Sequence, residues 1–326
     1  MKILVTGGAG FIGSHYVRTL LDGGYPGMEN PDVTVLDKLT YSGNRDNLPF
    51  RAANLEFVEG DICDAALVRE LLPGHDALVH FAAESHVDRS IDAAGVFFRT
   101  NVLGTQVLLE AAVDSGVERV VHVSTDEVYG SIAEGAWTED WPLAPNSPYA
   151  ASKAASDMVA RSYARTHGLD VSVTRCSNNY GPYQHIEKLI PLFTTRLLEG
   201  KQVPLYGDGH NIREWLHVDD HCRALQLVLT KGRAGEIYNV AGGTELPNTA
   251  ITERLLALCG ADSSSIRLVA DRLGHDDRYA LDDTKIREEL GYEPRIPFDR
   301  GLHDTVAWYR DNPGWWKASA PEMAAR

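Results

Sequence analysis

The chain has 326 residues, 44% of them apolar and 24% charged, so its composition is ordinary for a globular protein with a large buried core in one big domain or two modest ones. A formal charge of −15 and a pI near 5.2 argue against a nucleic-acid partner, which needs clustered Lys and Arg, but allow a local basic pocket for a nucleotide. Cys63, Cys176, Cys222 and Cys259 lie far apart, with no CxxC pair and no His at ligand spacing, which argues against a disulfide framework and a bound metal.

The first residues run directly into MKILVTGGAGFIG, without a basic and apolar leader, and no later stretch approaches the length of a membrane span. The expected compartment is a reducing cytoplasm. Ile3 to Thr6 reads as a buried strand, and Gly7, Gly8, Gly10 and Gly13 follow it just before helical spacing over Ile12 to Leu21. Glycine there lets backbone approach a pyrophosphate while the helix start presents free N–H groups, although a tight turn needs the same residues for folding alone. The second strand, Val33 to Asp37, ends on a carboxylate placed to accept hydrogen bonds from an adenine-side ribose. That carboxylate repels a 2′-phosphate, which favours NAD over NADP.

A third strand, Leu55 to Val58, leads to Asp61 and Ile62, then to a helix over Asp64 to Leu72. A fourth, Ala77 to Ala82, leads to Phe81, Ala82 and Ala83 at its C-terminal end, where ligands of open α/β sheets collect. Val102 to Ser115 has helical spacing. The strand Val120 to Ser124 runs into Thr125, Asp126 and Glu127, three polar groups that are either a solvated turn or a hydroxyl and an acid–base pair facing the crevice. Tyr149 and Lys153 stand four apart on the helix Tyr149 to His167, so they share a face, and the ammonium is expected to favour the phenolate. A sixth strand covers Val171 to Arg175.

Strand and helix alternating in this way predict a Rossmann-type, doubly wound parallel α/β sheet over residues 1–175. Residues 176–326, more irregular and aromatic, read as a smaller C-terminal substrate-binding lobe from which some segments return to the sheet. Arg213 and Arg272 are the candidates for a diphosphate, because a planar guanidinium pairs well with phosphate oxygens. Tyr206 is a candidate to stack on a base. His86 and His185 adjoin these motifs without an assigned chemistry.

TGGAGFIG, Asp37, HFAAESHVDRS, STDEVYG, YAASK, RCSNNYGPYQHIEKLIP and REWLHVDD, taken in order along nearly the whole chain, resemble the dTDP-glucose 4,6-dehydratases of the extended short-chain dehydrogenase/reductase family. Related epimerases share the glycine loop and YxxxK but usually lack the Asp-Glu pair after the Thr. The resemblance implies that Tyr149 takes the proton of the sugar C4 hydroxyl, held by Thr125, as hydride passes from C4 to NAD. Glu127 then removes the C5 proton, Asp126 protonates the departing C6 hydroxyl, and hydride returns to C6.

It further implies NAD contacts from Gly7, Gly10, Phe11, Ile12, Gly13, Asp37, Lys38, Leu39, Thr40, Asp61, Ile62, Phe81, Ala82, Ala83, Ser85, Thr100, Tyr149, Lys153 and Asn178. Substrate contacts are implied for Ser85, Thr125, Asn179, Lys188, Leu189, Pro204, Tyr206, Arg213, Asn248, Arg272, His275 and Tyr279, with a tightly held cofactor and a homodimer joined through the helices Val102 to Ser115 and Tyr149 to His167. The thymidine base rests on resemblance alone. A nucleotide-sugar 4-epimerase or decarboxylase would use the same Tyr149, Lys153 and NAD without needing Asp126 and Glu127. A silent NAD sensor would need none of the four.

Overall fold

The structure is a computed structural model and describes residues 1–318; residues 319–326, the end of the expected second lobe, lie outside the described residues. Twelve strands are described: β1 (Lys2–Thr6), β2 (Asp32–Asp37), β3 (Leu55–Glu59), β4 (Ala77–His80), β5 (Arg119–Thr125), β6 (Val171–Cys176), β7 (Asn178–Tyr180), β8 (Val203–Tyr206), β9 (Ile212–His217), β10 (Ile237–Val240), β11 (Thr244–Pro247) and β12 (Ile266–Val269). Seven of them form one parallel sheet in the order β10-β6-β5-β4-β1-β2-β3. The order reverses at β1, whose neighbours are β2 and β4, so the chain leaves these strands to opposite sides and opens a crevice at their C-terminal ends. The sheet is the expected doubly wound α/β fold.

Near-continuous apolar runs make these central strands, because both faces are covered. On one face Tyr16, Val17 and Leu20 of helix Phe11–Leu21 pack with Cys222, Leu225 and Val228 of helix Val218–Lys231 and with Ile286 and Leu290 of helix Thr284–Leu290. On the other, Val68, Leu108, Leu109, Ala112 and Ala160 come from helices Ala65–Leu71, Thr105–Ser115 and Pro148–His167. β10 comes from the second half of the chain and pairs in parallel with β6, from Ile237 opposite Val173 to Val240 opposite Cys176.

The rest of the second half carries two small sheets, β11-β9-β7 and β12-β8. Its own core joins Tyr180, Phe193, Trp215, Ile251, Phe298 and Leu302. Two boundaries differ from the sequence reading by more than one residue. β4 stops at His80 rather than Ala82, since Phe81 to Ala83 turn across the crevice. The helix expected from Val102 begins earlier, with a wide π-type turn over Phe98–Gly104 before regular helix resumes at Thr105. Among the described residues no helix is long and apolar enough to cross a membrane, and no group of three or more His, Cys, Asp or Glu is arranged to hold a metal ion.

Candidate active site

One cavity runs along the C-terminal edge of the sheet from the glycine loop to the ends of β5 and β6. At its floor the chain turns at Gly7, with φ 71 and its N–H donated to the Leu36 carbonyl at 2.9 Å. A side-chain carbon at Gly7 would lie 2.6 Å from the Ala82 nitrogen, so glycine is what lets the loop touch the segment after β4. Helix Phe11–Leu21 starts at Gly10 with no side-chain cap, which leaves its first N–H groups free for an anion.

Asp37, at the end of β2, is buried and accepts the Ala9 N–H at Oδ2 and the Leu39 N–H at Oδ1, both at 2.9 Å. Since a carboxylate offers about four acceptor sites, roughly two remain for a pair of ribose hydroxyls. The free helix start, the glycine cradle and this carboxylate fit a dinucleotide. Lys38 pairs with Asp61 at 2.7 Å on the rim, and Ile62, Ala83, Ser85, Thr100 and Asn178 also line the cavity. Leu39 is the exception among the expected cofactor residues: it turns through φ 54 and faces a neighbouring crevice with Thr40, Tyr41, Tyr183 and Trp315.

At the other end of the cavity Thr125 closes β5 and its hydroxyl accepts the Glu127 N–H at 3.3 Å, starting the tight turn Asp126–Tyr129. Ser147 caps helix Pro148–His167 by accepting the Ala150 N–H, and Pro148 sits at its first position, which sets Tyr149 and Lys153 against that turn. The two carboxyl groups have different surroundings. Burial, and then the charges of Glu127 and Glu214, hold Asp126 well above the usual carboxylate range. Its Oδ1 accepts the Thr125 hydroxyl at 3.2 Å, while Oδ2 is buried with no protein partner. Burial also raises Glu127, but Arg272, Lys188 and Arg213 pull it back toward the ionised form. One group is suited to hold a proton and the other to take one.

Tyr149 departs from the sequence reading. Burial, followed by the Glu127, Cys176 and Asp126 charges, pushes its phenol well above the ordinary value, against a hydrogen bond with Thr125. Lys153 does not reverse this in the protein alone: its Nζ donates to the Val123 carbonyl at 2.8 Å, and burial lowers its own pKa to about 8. Sequence spacing places the ammonium on the right face but is blind to the carboxylates opposite.

The expected substrate residues divide into two groups. Ser85, Thr125, Asn179 and Lys188 line the cavity, and Lys188 Nζ donates to the Ser85 carbonyl at 2.8 Å. Leu189, Pro204, Tyr206, Arg213, Asn248, Arg272, His275 and Tyr279 are not part of its lining. Two of them, Arg272 and Arg213, nevertheless act through their charge on Glu127. Arg272 Nε is buried without a hydrogen-bond partner, 3.9 Å from Asp88, and can take an anion. Arg213 is more committed, donating to the Ile212 and Asp276 carbonyls and lying 4.3 Å over the Tyr279 ring. Tyr206 is partly exposed, donates to Asp88 at 3.3 Å and meets the His275 ring edge-on. Asn248 Oδ1 is a second buried acceptor without a protein partner.

Sequence reasoning missed Glu84, Ser124, Cys176, Ser177 and Gln184, all in the cavity wall, where His185, noted without a chemistry, also lies. Cys176 ends β6 and Ser177 follows it, so the rule that ligands gather at strand C-termini was a signal for them. Nothing local marks Glu84, whose N–H and carbonyl are held by Asn101 from the π-type turn at 2.8 and 3.0 Å.

The family model for GDP-mannose 4,6 dehydratase matches residues 4–305. A dTDP-glucose 4,6-dehydratase of Streptomyces niveus is 64% identical over 97% of this chain and 95% of its own. The structure is similar to that of the dTDP-glucose 4,6-dehydratase DesIV from Streptomyces venezuelae, solved with NAD bound, at a TM-score of 0.97 and 65% identity over 98% of this chain and all of that one (100%). A UDP-glucose 4-epimerase from Thermus thermophilus, in complex with NAD, shares the fold at a TM-score of 0.87 but only 34% identity, over 96% of this chain and 100% of its own. With its sheet, its glycine loop and its Thr-Asp-Glu and Tyr-Lys groups on one cavity, the chain belongs to the nucleotide-sugar 4,6-dehydratase family.

Proposed function

We propose that the chain is a dTDP-glucose 4,6-dehydratase, which converts dTDP-glucose to dTDP-4-keto-6-deoxyglucose and water with a retained NAD. The observation that carries this reading is the pair Asp126 and Glu127, one carboxyl driven strongly toward its protonated form and the other held back by three cations, both beside Tyr149. An enzyme that only oxidises an alcohol has no use for the pair. When bound, NAD supplies the hydride acceptor for C4 and the hydride donor for C6, so the conversion is redox-neutral overall.

The protein's residues move the protons. Thr125 holds the C4 oxygen by hydrogen bond, and Tyr149 takes the hydroxyl proton from it. Lys153, one helical turn away on the same face, and the positive nicotinamide that a bound NAD would add are the charges that would offset the carboxylates holding the phenol up. The new ketone acidifies C5–H, which Glu127 removes, and Asp126 delivers its proton to the C6 hydroxyl so that water leaves. Glu127 then returns a proton to C5, and the proton that Tyr149 took restores Asp126, so the three groups end as they began. Lys188, Asn179 and Ser85 orient the sugar, while Arg272 with Arg213, Asn248, Tyr206 and His275 receive the diphosphate and base.

In the same reading residues 1–175 serve the dinucleotide and most of the remainder serves the nucleotide sugar, in the cytoplasm. A homodimer is part of the proposal. Leu103 and Met158, in the two segments where the partner is expected, are 58% and 55% exposed, and Phe98, just before the first of them, is 42% exposed, apolar side chains that a partner would cover. The test is to incubate purified protein with dTDP-glucose, adding no NAD, and weigh the product. Loss of one water supports the proposal and a retained cofactor together. An unchanged mass with a galactose-configured product would mean epimerisation. No reaction, even after adding NAD and then trying UDP- and CDP-glucose, would overturn the substrate.

A further inference from the structure

We propose that Arg175 and Asp157 are positioning residues that fasten the turn carrying Asp126 and Glu127 to the helix carrying Tyr149 and Lys153, so that oxidation and water loss act on one sugar in one pose. The proposal rests on the dehydratase reading above. Neither side chain lines the cavity, and both are fully buried behind it. Arg175, on β6, donates from Nε to Asp157 Oδ2 at 2.9 Å and from Nη1 to the Tyr129 hydroxyl at 2.8 Å. Its guanidinium also lies 4.7 Å over the Tyr129 ring.

Both partners are one short step from the chemistry. Tyr129 ends the turn that Asp126 begins, its ring stacks on Trp137 at 5.3 Å, and its hydroxyl donates to Asn239 Oδ1 of β10 at 2.9 Å. Asp157 lies one helical turn after Lys153 on the same inward face. One guanidinium therefore grips the acid–base turn and the Tyr-Lys helix at once, from the strand between them and β10. Buried charge is costly, and well-packed apolar residues often serve stability as well or better, so its presence at this junction points to placement rather than to stability.

Asp157 is also the anion nearest the buried ammonium. The charged or titratable groups facing the pair are Lys153 on the same helix, His122 on β5, which lies 3.4 Å from Asp157 Oδ1, Arg175 and Cys176 on β6, and His80 on β4. Asp157 and Cys176 favour the charged form of Lys153, while both histidines are held below their ordinary range by burial and act as neutral neighbours.

Tyr129→Phe keeps the ring and removes only the anchored hydroxyl. In single turnover on dTDP-glucose it should let oxidation proceed and slow water loss by about 10- to 100-fold, the scale of a small misplacement, so reduced nicotinamide accumulates while KM holds. Asp157→Asn should lower kcat with KM held and shift the alkaline limb of the pH profile to lower pH, since Lys153 loses its counter-charge. The double variant Asp157→Leu with Arg175→Met, which replaces the pair by apolar bulk, should melt like the parent and remain slow. Full turnover in that double variant, or unaltered kcat and pH profile in both single variants, would overturn the proposal. Parent protein run alongside separates the two failures: an inert parent sinks the dehydratase reading, and an active parent with unaltered variants sinks this one.

Discussion

Replacing Gly13 by Ala tests whether the glycine loop holds a dinucleotide or merely turns the chain. The added carbon would lie 2.4 Å from the Gly7 oxygen and 3.0 Å from both the Gly7 carbonyl carbon and Gly8 Cα, all of them backbone that cannot swing aside. Carbon–oxygen contacts settle near 3.3 Å, so helix Phe11–Leu21 must back away by roughly 0.9 Å, the difference between that distance and 2.4 Å. A hydrogen bond of about 2.9 Å from the first N–H groups to a phosphate would then stretch to about 3.8 Å, which is no longer a hydrogen bond. Losing one charge-assisted bond removes about 1.5–3 kcal/mol, and NAD should bind roughly 10- to 150-fold more weakly. Calorimetric titration of NAD into cofactor-stripped protein reads this directly, with a melting curve as the control for folding. Parental affinity in a variant that melts like the parent would refute the link between close helix approach and cofactor binding.

Tyr149→Phe should abolish C4 oxidation while purified protein still carries NAD, measured by nucleotide release on denaturation. Asp126→Asn combined with Glu127→Gln should spare the first oxidation and block water loss, leaving reduced nicotinamide or a 4-keto-glucose nucleotide; normal dehydration by this variant would mean that the proton roles are misassigned. Asp126 also makes a stability prediction. Its carboxyl is held well above its unfolded value, so it supports the fold fully only below that unfolded value, and the support is lost as pH rises through the folded one. Asp126→Asn should therefore melt higher than the parent at about pH 9 and lose that advantage by about pH 4, a gain in stability with a loss of function. Leu103→Glu should halve the mass seen by light scattering if the exposed apolar face joins two copies.

The parallel sheet was legible because its strands are runs of apolar and β-branched residues bounded by turns, as in Ile3 to Thr6 and Val120 to Ser124. The dinucleotide end was legible for a related reason: glycine and a strand-end carboxylate act through backbone geometry, which sequence position specifies closely. The π-type turn at Phe98–Gly104 was not, since it differs from regular helix by one residue per turn and its purpose, bringing Thr100 to the cavity and Asn101 to Glu84, depends on distant segments. Charge balance was equally hidden. Tyr149 and Lys153 are visible as a spaced pair, but the phenol answers to Glu127 and Asp126 across the cavity, and a pKa depends on all the neighbours at once. Arg175 and Asp157 look like an ordinary strand arginine and helix aspartate until the fold buries them together.

The late arrival of β10 shapes how the molecule can be made. By the time β6 leaves the ribosome, five of the other six strands of the large sheet have been synthesised, yet one edge stays open until β10, residues 237–240, follows. During that interval β6 presents a row of unpaired N–H and carbonyl groups on a strand whose residues are all buried in the finished fold, the kind of edge that captures a stray strand from another chain. A fragment cut after β6 would keep the glycine loop and Asp37 and still be a poor protein to isolate, because the last strand that closes its edge is encoded in the half that was removed.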